Sequence, residues 1–101
     1  MPVKKSDGEI TRELFEVIAS LKSADDCRAL FSDMCTNTEI EQMAQRLQAA
    51  KLLLEGKTYN QVIEETDISS ATLSRVSRCV RYGSGYAKIL KRAENKKNEN
   101  N

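Results

Sequence analysis

Between Ser69 and Arg81 no residue is acidic, and Ser69, Ser70, Ala71, Ser74, Arg75, Arg78 and Arg81 are small or cationic. Side chains of this kind let a helix approach another surface closely and donate to anionic oxygens or base edges. Arg75 and Arg78 suit guanine or phosphate, Ser70 and Ser74 suit bases or phosphates, and the Ala71 methyl suits the methyl of thymine. Asn60, further back in the chain, is a candidate for holding a duplex backbone, whereas its neighbour Gln61 is also wanted as a helix cap. The chemistry implied is recognition of a polyanion rather than bond-making. With no His, no glycine-rich phosphate loop and no Ser or Cys paired with a base in the pattern, no enzyme activity is expected.

Such side chains read a groove only when two helices are locked across a tight turn. Residues 58–76, TYNQVIEETDISSATLSRV, carry the signals for that arrangement. Thr58 and Gln61 form a capping box that opens a short helix. Thr66 to Ser69 make the turn, with Asp67 at the position where the chain goes left-handed and glycine is the usual occupant. Ser69 then caps a second helix running to about Tyr82, where Gly83 stops it. Val62, Ile63, Ile68, Leu73 and Val76 point back toward a shared core, so residues 58–82 read as a helix-turn-helix.

The rest of the chain reads as helical too. Ile10, Leu14, Val17, Ile18 and Leu21 form an amphipathic stripe. Ser23 and Asp26 signal a short second helix with Cys27, Leu30, Phe31 and Met34 on its apolar side, and Thr36 and Glu39 open a long third helix ending at Gly56. In that helix Ile40, Met43, Ala44, Leu47, Ala49, Ala50, Leu52, Leu53 and Leu54 make an apolar surface too wide for a single contact, which places it centrally. Ser84 caps a last helix with Tyr86, Ile89, Leu90 and Ala93. A single all-α domain over residues 1–101 is therefore expected, with helices over 10–56 and 84–94 flanking the motif and a disordered tail at 95–101.

The overall charge of +1 conceals an uneven distribution. Residues 1–70 hold 8 Lys and Arg against 13 Asp and Glu, whereas residues 71–101 hold 8 against 2. Cys27, Cys35 and Cys79 lack any metal-ligand or disulfide spacing and read as reduced, packed thiols of a cytoplasmic protein. No metal is expected. No apolar run reaches the roughly 20 residues of a membrane span, so no membrane partner is expected. Double-stranded DNA is the partner these features fit best, with a protein-interaction module on the same scaffold as the alternative.

The stretch TNTEIEQMAQRLQAAKLLLEGKTYNQVIEE followed by SSATLSRVSR resembles the Trp repressor superfamily, most closely its small YerC/YecD-type Trp-repressor-related proteins. The resemblance covers roughly Ile10 to Ala93. It implies a six-helix Trp-repressor-like fold with an intertwined homodimer built through residues 10–56, and with the motif the expected function is a sequence-specific DNA-binding transcriptional regulator, a repressor. In the tryptophan-responsive member a pocket between the central and recognition helices is flanked by two arginines and a capping threonine, and Arg46, Arg75 and Thr36 stand at those positions here. Val76 replaces a glycine beside the indole slot, and the turn is one residue shorter. That change argues against L-tryptophan, and neither it nor another small effector is expected as a resident cofactor.

Overall fold

Hydroxyl side chains placed three residues ahead of an amide begin four helices of this chain, because each satisfies a donor that the first helical turn leaves free. In the computed structural model, which describes residues 3–99, Ser6 Oγ accepts from the Glu9 amide at 3.2 Å and Ser23 Oγ accepts from the Asp26 amide at 3.0 Å. These contacts open α1 (Asp7–Ala19) and α2 (Ala24–Met34). The first helix thus begins ahead of its first apolar residue, Ile10, with Asp7 and Glu9 in the turn where the helix dipole favours negative charge. Then follow α3 (Asn37–Leu54), α4 (Tyr59–Thr66), α5 (Ser70–Tyr82) and α6 (Gly85–Glu99). The fold is all-α, with six helices and no strand among the described residues.

The sixth helix continues through Glu99, beyond the expected boundary at residue 94. Residues 95–99 of the expected disordered tail are therefore helical. Lys96 and Lys97 fall in the last turn, where cations face the negative end of the helix dipole, and Lys and Glu are good helix formers. Asn100 and Asn101, the remainder of that expected tail, lie outside the described residues.

The described chain divides into two compact units, one up to residue 37 and one from residue 38 onward. In the first, neither α1 nor α2 buries a residue, and much of the stripe that should face a core stays open: Ile10 is 51% exposed, Leu14 38% and Val17 50%, while Ile18 and Leu21 are half-buried. The second unit has a core of its own. Ala49, Ala50 and Leu52 from α3 meet Val62 of α4, Ile68 of the turn, and Leu73 and Val76 of α5, with Leu53, Ile63, Val80, Tyr86 and Leu90 packed around them. No described helix is long and apolar enough to cross a membrane.

The wide apolar surface of α3 turns out to be two faces with different fates. Ala49, Ala50 and Leu52 are in the core, while Ile40, Met43, Leu47 and Leu54 follow one another at steps of three, four and seven on another stripe. Ile40 and Met43 are half-buried, and Leu47 and Leu54 remain 49% and 44% exposed. The thiols are not packed as the sequence suggests. All three are free, but Cys27 and Cys79 are exposed and Cys35 is half-buried, because α2 has no buried side and Cys79 lies off the inner face of α5.

Gly83 ends α5 by close approach rather than by a left-handed turn. Its φ is −87°, which any residue adopts, but a Cβ built there would stand 2.7 Å from the Cys79 carbonyl oxygen. That oxygen accepts from the Gly83 amide at 2.9 Å and belongs to the backbone, so it cannot rotate aside. Gly83→Ala is expected to destabilise the second unit by about 1–3 kcal/mol, the usual cost of an overpacked contact. Urea unfolding followed by circular dichroism should show the lowered midpoint; an unaltered midpoint would mean that the junction between α5 and α6 relaxes freely.

Candidate nucleic-acid interface

The motif is built from reciprocal local contacts. At the start of α4 the Gln61 amide donates to Thr58 Oγ1 at 3.2 Å and the Thr58 amide donates to Gln61 Oε1 at 2.9 Å, the capping box expected from the sequence. Gln61 is thereby occupied, and Asn60 beside it is exposed. At the other end of α4, Asp67 takes φ 57° and ψ 18° and its amide donates to the Ile63 carbonyl at 3.1 Å. It is the one non-glycine residue with positive φ among those described, and Asp pays less for that conformation than most residues.

Two contacts that the sequence reading missed stiffen the turn. Thr66 Oγ1 donates to the Val62 carbonyl at 2.7 Å and accepts from the Ile68 amide at 3.3 Å, bridging the end of α4 to the residue that re-enters the core. From α3, Gln45 Nε2 donates to the Thr66 carbonyl at 3.2 Å, tying the turn to the central helix across 21 positions. The threonine bridge has a local signal, a hydroxyl in the last turn of a short helix. The glutamine has none, since nothing in sequence relates it to Thr66.

Ser69 caps α5 as expected, its Oγ accepting from the Thr72 amide at 3.2 Å. The same hydroxyl donates to Thr72 Oγ1 at 2.9 Å, so its single proton is already used. Ser69 therefore shapes the helix start, while the outward donors come from the next turns. Leu73, Val76 and Ser77 are buried and Val80 is half-buried, which fixes the inner side of α5. At about 100° per residue, Ala71, Arg78 and Tyr82 fall within roughly 40° of one another directly opposite that side. Ser74 and Arg75 flank this stripe, and Ser70 and Arg81 lie at one edge of it. Ser70, Ala71, Ser74, Arg75, Arg78 and Arg81 are all exposed, so the helix presents them together on one non-acidic face.

The three residues expected around an effector are placed differently from one another. A cleft of about 320 Å³ is lined by Gln42, Gln45 and Arg46 of α3 with Ile68, Ser69 and Thr72 of the motif. Arg46, half-buried, is part of its wall. Arg75 is exposed on α5 and is not among these lining residues, and Thr36 falls in the first unit. Val76 is 1% exposed and sits in the core, as the sequence suggested.

A model of the family described as Trp repressor protein matches residues 9–94. The chain is 42% identical, over 100 residues, to the uncharacterised protein YerC of Bacillus subtilis (strain 168), covering 98% of this chain and 96% of that one. Among solved structures it is similar to a candidate Trp repressor from Staphylococcus aureus, with TM-score 0.81 and 39% identity over 85% of this chain and 87% of the other. It is similar also to a TrpR-like protein from Eubacterium eligens, with TM-score 0.81 and 40% identity over 85% and 90% of the two chains.

Proposed function

Since the chain belongs to the Trp repressor family, we propose that it is a sequence-specific DNA-binding transcriptional regulator, a repressor that works as a homodimer in the cytoplasm. The observation that carries this reading is the outer face of α5. A capped helix, held by Leu73 and Val76 on one side, presents Ser70, Ala71, Ser74, Arg75, Arg78 and Arg81 on the other without an acidic residue anywhere along it. Arg75 and Arg78 read base edges or phosphates, Ser70 and Ser74 add hydroxyl contacts, and Asn60 at the start of α4 holds the backbone. Cations binding phosphates release counterions, so affinity falls as salt rises.

A second copy completes the reader, because a single short helix makes too few contacts to hold one site. The apolar stripes of α1 and the second stripe of α3, with Leu47 and Leu54 half exposed, supply surface for an intertwined dimer. Two recognition helices would then enter successive major grooves about 34 Å apart. Val76 in the core supports regulation without L-tryptophan, since a branched side chain fills the position next to the indole slot. Selection of bound duplexes from random DNA tests the whole reading.

A further inference from the structure

Tyr82 is 83% exposed, an unusual position for an aromatic ring at the end of a well-packed helix. It shares the outermost stripe of α5 with Ala71 and Arg78, one turn beyond Arg78 and next in sequence to Arg81. From Ala71 to Tyr82 the helix advances about 16 Å at 1.5 Å per residue, which exceeds the roughly 12 Å width of the major groove. When the first turns of α5 lie against base edges and its axis crosses the groove, its last turn is therefore over the sugar-phosphate backbone bordering the groove. A phenol suits that place: its ring packs against deoxyribose and its O–H donates to a phosphate oxygen. Arg78 one turn before it and Arg81 next to it in sequence, with the lack of any acidic residue in α5, make the surroundings complementary to a polyanion.

We infer that Tyr82 is a positioning residue that grips the DNA backbone at the groove edge and fixes how far along the duplex the recognition helix sits. The inference rests on the proposed function and adds to it a contact that carries no sequence information. Its effect is consequently the same on every DNA. The test compares the wild-type protein with Tyr82→Ala, Tyr82→Phe and Arg81→Ala on a selected site and on random-sequence duplex across a salt series, with the oligomeric state followed by sedimentation. Tyr82→Ala is expected to weaken both DNAs about fivefold to tenfold with the salt slope unchanged, because a neutral side chain releases no counterion, and Tyr82→Phe to recover only part of the loss. Arg81→Ala should instead reduce the slope by about one.

Equal affinity of Tyr82→Ala and wild type would overturn the assignment, as would weakening confined to the selected site, which would make Tyr82 a base reader. Loss of self-association in Tyr82→Ala would also overturn it, by placing the ring between copies. If wild type itself binds neither DNA, the proposed function fails first and the assignment falls with it.

Discussion

Replacing Leu73 by alanine is expected to lower stability by about 3–5 kcal/mol, at the upper part of the range for a leucine removed from a packed interior. Leu73 is fully buried and is, with Val62 and Val76, among the largest side chains so enclosed. It lies on the inner side of α5 in the only core cluster found among the described residues, which also includes Ala49 and Ala50 of α3 and Val62 of α4. The two alanines have no flexible length with which to fill the vacated space. Because a domain of this size holds only about 5–15 kcal/mol in total, the variant should lose much of its margin. Denaturant unfolding at one fixed protein concentration, so that any self-association contributes equally, measures the change. A loss below about 1 kcal/mol would show that α5 does not depend on this packing.

Replacing Arg78 by alanine is expected to leave stability intact and to weaken DNA binding about tenfold to a hundredfold, the 1–3 kcal/mol range of a well-placed bidentate contact. Arg78 lies opposite the buried side of α5 and is exposed, so its removal opens no cavity. Fluorescence anisotropy of labelled duplexes separates its possible targets. A guanine contact loses affinity mainly for the selected site and relaxes preference at one base pair, whereas a phosphate contact weakens every sequence and reduces the salt slope by about one. Affinity equal to wild type on all duplexes would remove Arg78 from the interface.

Much of the motif is legible in the sequence because the forces that shape it are local. The Thr58 and Gln61 box, the Ser69 cap and the left-handed Asp67 each act within four residues, and the spacing of the side chains states the geometry. Leu73 and Val76 were readable as core for a similar reason, since a helix only 13 residues long has one side to bury, and Ile68 was readable as the apolar residue of the turn beside it. Long-range relations were not readable. The bond from Gln45 to Thr66 depends on how α3 lies against the turn, and periodicity gives no sign of it. On α3 the pattern identified apolar positions but could not say that Ala49 is enclosed while Leu47 is half open, since the neighbour decides that.

The same limit explains the other differences. Cys79 is next to the half-buried Val80 in sequence yet is exposed, because one residue on a helix is a rotation of about 100°. Tyr82 read as an ordinary end to α5, and only its exposure marks it out. The polar run after residue 94 resembled a tail, although its Lys and Glu residues extend α6 through Glu99. Compositional signals describe what a segment can bury, and a helix that buries little leaves them silent.

Selection of protein-bound duplexes from a random DNA pool tests the proposed regulator most directly, because it reports sequence preference and assembly geometry together. The expected result is enrichment of one motif in two inverted halves whose centres are about 10 base pairs apart, matching two recognition helices in successive major grooves. A pool that remains random after repeated rounds at low and moderate salt would contradict sequence-specific recognition, and an enriched single half-site would contradict the dimer.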